Sequence, residues 1–189
     1  MHEDFPAKLR SFILRPAEAF KNVKDGNFRD AFLYYIILIV IYSVLSGIIN
    51  YFRLDPVRES LNPALPVETV TYFDILSIFY GIVGWIVLFF LIGIILHPLI
   101  LIVGGRKGIE QTFKSIAYAS TPGFLLGWIP VIGIFFAFYG IFVQIIGISE
   151  LHEISTKKAA FAAILLITLI TGLTIIIGFF LLFAFLTAF

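Results

Sequence analysis

Three polar side chains, His97, Tyr118 and Gln144, interrupt long apolar runs at similar depth. At about 1.5 Å per helical residue, each would lie roughly 6–9 Å beneath one membrane face. Glu150, His152 and Glu153 follow shortly after Gln144. An imidazole pair, a phenol, an amide and carboxylates that converged would suit a small polar ligand, a cation or a lipid headgroup. Polar groups inside membrane segments often mark such sites. The favoured reading is plainer: ordinary hydrogen bonds between helices, contributing about 0.6–2 kcal/mol each. Glu150-Leu151-His152-Glu153 has no second ligand set at a recognisable spacing, so no metal site is expected.

No catalytic residue is assigned. The chain contains neither GxxxxGK[ST], which cradles phosphates, nor HExxH, which holds a hydrolytic zinc. Ser-His catalysis would need a serine near His97 or His152 and an orienting acid, and no local motif supplies them. With 0 cysteines, disulfides, thiol catalysis and cysteine-based zinc sites are excluded. No cofactor is expected, and the protein reads as a non-enzyme.

The elements that would position these residues are membrane helices. Of 189 residues, 60% are hydrophobic and 13% charged, too little polar surface to coat a water-soluble core. The net charge of +1 leaves no basic field for nucleic acid. The expected fold is all-α: a polytopic bundle of five transmembrane helices in the cell membrane. The spans fall at about 31–52, 74–103, 112–128, 130–148 and 159–187. No small-residue cleavage site ends the first apolar run, so it is expected to remain as an anchor. Prolines 56, 63 and 66 argue for a loop over 53–73. The short turn Gly127–Pro130 makes spans 3 and 4 an antiparallel hairpin. Span 3 is short and contains Pro122, so residues 112–148 have a re-entrant pair of half-helices as their alternative. Ser149–Lys158 reads as a polar loop, and the last run is long enough to tilt or to kink near Gly172 or Gly178.

Residues 1–30 form a separate amphipathic segment. Phe5, Leu9, Phe12, Phe20 and Val23 recur at broadly helical spacing among lysines and arginines. Pro16 divides the segment and suits the first turn of a second helix. A basic helix of this kind is expected to lie in the cytoplasmic interface of the bilayer; the alternative is packing on the end of the bundle. Charge sets the orientation, because cytoplasmic loops hold the excess of Lys and Arg. With the N-terminus inside, 11 of the 13 such residues face the cytoplasm, all but Arg53 and Arg58. The N-terminus is therefore expected in the cytoplasm and the C-terminus outside.

Small residues suggest where helices meet. Gly123 and Gly127 form a GxxxG, and Ala159 with Ala163 a second small pair. Ser43, Ser46 and Asn50 share one face of span 1, and Ser77, Tyr80, Gly81 and Gly84 form a comparable face on span 2.

Three stretches resemble the Yip1-domain family of small membrane proteins. Phe12-Ile-Leu-Arg-Pro16-Ala-Glu-Ala-Phe20 is similar to the Leu-x-Pro-x-x-x-Phe opening of prokaryotic members. Gly104-Gly105 through Phe113, then Ala117-Tyr118-Ala-Ser-Thr-Pro122, resembles the Gly-Tyr-x-x-x-Pro signature, with Ala117 in place of glycine. Gly147 through Ser155, followed by Lys158-Ala159, resembles the join between the last two spans. The resemblance implies five spans, a cytoplasmic N-terminus and an outer C-terminus. Eukaryotic relatives act in vesicle trafficking, bind prenylated Rab GTPases and assemble with one another. This chain lacks their Asp-Leu-Tyr-Gly-Pro motif and long cytoplasmic region, so Rab GTPase binding is not carried over.

The expected function is a non-enzymatic scaffold or adaptor in the lipid bilayer, forming homo- or hetero-oligomers with membrane proteins and contacting no nucleic acid. The alternatives are a small transporter or channel using His97, Tyr118 and Gln144, and an intramembrane metal- or lipid-binding protein using His97, Glu150 and His152.

Overall fold

The computed structural model describes residues 4–51 and 67–187, which are almost entirely helical. The helices in order are α1 (Phe5–Leu14), α2 (Pro16–Val23), α3 (Phe28–Tyr51), α4 (Val67–Ile102), α5 (Ile109–Ala119), α6 (Thr121–Leu126), α7 (Ile132–His152) and α8 (Thr156–Thr187). Among the described residues, four stretches are long and apolar enough to cross a membrane: Phe28–Ile49, Ile78–Ile102, Ile132–His152 and Thr156–Phe185. In a bilayer each backbone N–H and C=O must find its partner within the protein, and a continuous helix meets that demand.

Several boundaries move from the sequence expectation. Helix α4 begins at Val67, ahead of the expected Asp74, because no proline interrupts the chain between Pro66 and Pro98. The rest of the expected 53–73 loop, with Arg53 and Arg58, lies outside the described residues, as do Asn50 and Ser77 at side-chain level. Helix α7 continues through Glu150 to His152, so the polar loop shrinks to Glu153-Ile154-Ser155. Glu153 ends the helix in a left-handed conformation, φ 53°. Helix α8 runs unbroken past Gly172 and Gly178.

The expected third span is not among the four long apolar helices. It is two short helices, α5 and α6, broken at Ser120. Pro122 causes the break: it has no N–H to offer the carbonyl four residues back, that of Tyr118. The Thr121 hydroxyl donates to that carbonyl instead, at 2.6 Å. Thr112 through Ala119 are all buried, so the most polar of the bundle's inner helices is also its most enclosed. Lipid is a poor solvent for Thr112, Lys114 and Ser115, and surrounding helices provide the partners it cannot.

At the far turn, α6 and α7 approach through glycine. A Cβ at Gly133 would fall 2.4 Å from the Gly127 carbonyl oxygen, so the approach needs the missing side chain. Gly127 thus acts at the turn, while a Cβ built at Gly123 meets nothing within 4 Å. Ala159 and Ala163 are buried. Gly81 faces the Ser43 hydroxyl across α3 and α4, at 3.6 Å from its Cβ position.

The N-terminal helices pack on the bundle. Pro16 opens α2, as its fixed φ and absent N–H favour. Phe12 and Phe20, part of the face expected in the membrane interface, are 0% exposed. The physical reason is a ready-made apolar seat between α5 and α7, described next.

Candidate functional site

Helix α5 distributes its polar side chains along one edge at positions 112, 115 and 118. The Thr112 hydroxyl lies 2.9 Å from His97 Nδ1 on α4 and 3.1 Å from His152 Nε2 on α7. One hydroxyl hydrogen serves two imidazoles, so Thr112 donates to one ring and accepts from the other. His152 is 2% exposed and its Nδ1 has no partner. Orphaned buried N–H groups are rarer than under-used acceptors. The arrangement that avoids one runs His152 Nε2–H to Thr112, and Thr112 O–H to His97 Nδ1.

One turn further, Ser115 donates to the Thr112 carbonyl at 2.7 Å and accepts from Gln144 Nε2 at 2.9 Å. Tyr118, a turn beyond, faces the N-terminal helices. Its ring stacks on Phe12, with centroids 4.6 Å apart and planes 7° from parallel. Lys8 Nζ donates to the Tyr118 hydroxyl at 3.2 Å and lies 4.6 Å from its ring centroid. Tyr34 pairs with the Thr121 hydroxyl at 2.8 Å, linking α3 to the Pro122 break.

His97, Tyr118 and Gln144 therefore do not meet. His97 joins α5 at Thr112 and Gln144 joins it at Ser115, while Tyr118, on α5 itself, faces the N-terminal helices. His97 and His152 do come together, through Thr112, with ring centroids 6.3 Å apart. Glu150 stands apart, half-buried on the last turn of α7. Among the described residues no three His, Asp or Glu side chains are placed to hold one metal ion.

A second cluster ties helix ends together. Glu153 pairs with both Lys24 and Lys107. The two ammonium groups hold the Glu153 carboxyl well below its usual range, at about 2, and Glu153 in turn raises the Lys24 ammonium. Lys114 is 1% exposed and donates to the carbonyls of Lys24 at 2.5 Å and Gly26 at 2.8 Å. Gln111 Nε2 adds a third bond to this turn, 3.2 Å to the Lys24 carbonyl.

Sequence reasoning missed Thr112, Ser115 and Lys114. Their signal was three polar positions on a short helix with too few apolar residues for a lipid-facing span. It gave no packing role to Gly147 or Gly93. A Cβ at Gly147 would fall 2.6 Å from the Phe20 ring, and one at Gly93 2.0 Å from the Phe113 ring.

The three stretches that carry the family resemblance are thus one physical unit. Phe12 stacks on Tyr118, Phe20 meets Phe12 edge-on at 5.1 Å, and Phe20 fills the space over Gly147. The family model of the Yip1 domain matches residues 10–179. The chain belongs to the Yip1 domain family. It is an integral membrane protein of the Yip1 type, from a family that is generally non-enzymatic. Searches of curated proteins and of solved structures found no match. In this Yip1 domain the opening Phe12–Phe20 motif is the plug, and the Tyr118–Pro122 and Gly147 stretches are its socket.

Proposed function

We propose that this Yip1-domain protein is a non-catalytic membrane scaffold that associates with itself or with other membrane proteins. The observation that carries this reading is the outer part of α8. Ile175, Ile176 and Ile177 follow one another at about 100° per residue, and all three are exposed, at 66%, 54% and 50%. Exposed apolar positions continue through Phe179, Phe180 and Phe183. This helix offers contact surface on every side, whereas the polar side chains of the core are turned inward on each other. A transport or metal site would need the opposite: polar groups converging on open space.

In this reading residues 1–30 are the cytoplasmic segment and 31–189 the membrane domain, in the cell membrane with the C-terminus outside. Helices α5 and α6 together provide the fifth crossing. Laid end to end, their 109–126 stretch would reach at most about 27 Å, near the hydrocarbon thickness of about 30 Å. Support for the orientation comes from the ends that meet. The α2–α3 turn, the α4–α5 turn and the α7–α8 turn are joined by Lys24, Lys107 and Glu153, and this end carries the basic residues.

The absence of cysteine makes the test direct. Single cysteines at Ile176 or Phe180 should trap a homodimer or one defined membrane partner on crosslinking in native membranes. A chain that stays monomeric and uncrosslinked from every position along α8 overturns the reading.

A further inference from the structure

A cavity of about 570 Å³ opens into the side of the bundle, walled by α3, α4, the end of α5, α6, α7 and α8. Its size falls in the range of sites that enclose a small ligand. Glycine opens part of the space: Gly123 lines it, and a Cβ built there meets nothing within 4 Å. Tyr42, Trp85 and Phe124 form an aromatic cluster in its wall.

Water is a poor occupant. A buried water needs two to four polar partners, and the lining is mostly apolar, its polar side chains being those of Tyr42, Trp85, Ser120 and Gln144. Ser120 donates to the Ile116 carbonyl at 2.8 Å, and Gln144 donates to Ser115. The entrance identifies a better one. Ile134 and Ile167 line the cavity while remaining 58% and 43% exposed on the two long apolar helices α7 and α8. The cavity is therefore an inlet of the lipid-facing surface, continuous with the protein's contact with the bilayer.

We propose that this cavity is a binding site for one acyl chain of a bilayer lipid, entering sideways between α7 and α8. The site lies away from the His97–Thr112–His152 chain and does not depend on the scaffold reading. Hydrocarbon suits this mostly apolar wall, and it replaces dispersion contacts that an empty cavity would forfeit.

The test uses the full chain in phosphatidylcholine vesicles doped with a phosphatidylcholine that carries a diazirine in one acyl chain. After photolysis, peptides containing Gly123, Phe124, Ile141 and Leu166 should be labelled several-fold above the exposed outer part of α8. Gly123→Leu, which adds its side chain where a Cβ meets no neighbour within 4 Å, should cut cavity labelling several-fold. Ala137→Phe, on the exposed rim, should do the same and decides the matter if the first variant fails to fold. Gly172→Leu, also built in open space, should change nothing. Cavity peptides labelled no more than outer α8, or labelling that both filling variants leave intact, overturns the proposal.

Discussion

Phe20 and Gly147 occupy one volume between them: a Cβ on Gly147 would lie 2.6 Å from the Phe20 ring carbon Cζ. Phe20 is fully buried there, and the contact anchors α2 against α7. Gly147→Val should therefore expel the ring and destabilise the fold by about 1–3 kcal/mol, as overpacking does. Thermal unfolding in detergent measures this. Phe20→Ala should cost about 3–5 kcal/mol in the wild-type background and clearly less beside Gly147→Val. Strictly additive losses would show that the two residues do not share a seat.

The Thr112 hydroxyl joins two histidines from two helices. Thr112→Val keeps the shape and leaves both imidazole nitrogens without this partner, one of them on buried His152. A loss of about 1–3 kcal/mol follows. Thr112→Ser, which retains the hydroxyl, should stay near wild type in the same unfolding assay. Equal behaviour of the two variants would rule out the hydrogen bonds as the cause.

Lys114 holds the α2–α3 turn by the carbonyls of Lys24 and Gly26. Removing its ammonium in Lys114→Met should cost about 1.5–3 kcal/mol, the range for charge-assisted bonds. It should also speed amide exchange and proteolysis around residues 24–27. Lys114→Arg should recover part of the protection. Unchanged exchange at this turn in the Met variant would contradict the assignment.

The Glu153 carboxyl titrates at about 2 in the folded protein against 4.5 ordinarily, through its bonds to Lys107 and Lys24. A depressed folded value means the contribution is complete above pH 4.5 and is lost as pH falls toward 2. The pair is exposed, so solvent screens it and the effect is small. The unfolding temperatures of wild type and Glu153→Gln should differ at pH 6 and converge as pH drops through this window. A gap that persists at the acid end would assign the difference to something other than this charge.

Topology is open to cysteine accessibility in an otherwise cysteine-free chain. An impermeant maleimide should label cysteines at Val131 and Thr187 in intact cells, and those at Lys21 and Lys157 only after permeabilisation. The reverse pattern would invert the protein. A Val131 cysteine unreactive from outside would restrict α5 and α6 to a re-entrant excursion.

Much of the architecture was legible in the linear chain. Apolar runs announced the four long helices to within several residues, because a membrane segment satisfies its own backbone and its length is set by the bilayer. Pro16 marked the break between α1 and α2, since a residue without an N–H fits a helix start whatever surrounds it. Pro122 likewise flagged the weak third segment. These signals are local, and local chemistry is enough to produce them.

Partnership was decided elsewhere. Helical spacing shows which side chains share a face, but not which neighbour that face meets. His97, Tyr118 and Gln144 share a depth, yet Tyr118 faces the N-terminal helices, Gln144 joins α5 at Ser115, and His97 finds His152 only through Thr112. His152 and Glu150 moved from an expected loop onto a helix because α7 ends only where Glu153 turns left-handed. The amphipathic N-terminal segment carried two destinations in its sequence, bilayer interface or bundle. Tertiary packing chose the bundle for Phe12 and Phe20, since Tyr118 and Gly147 together make a seat that burial of two aromatic rings fills. The cavity was invisible in sequence for the same reason: it is space left between several helices, and no single helix encodes its shape.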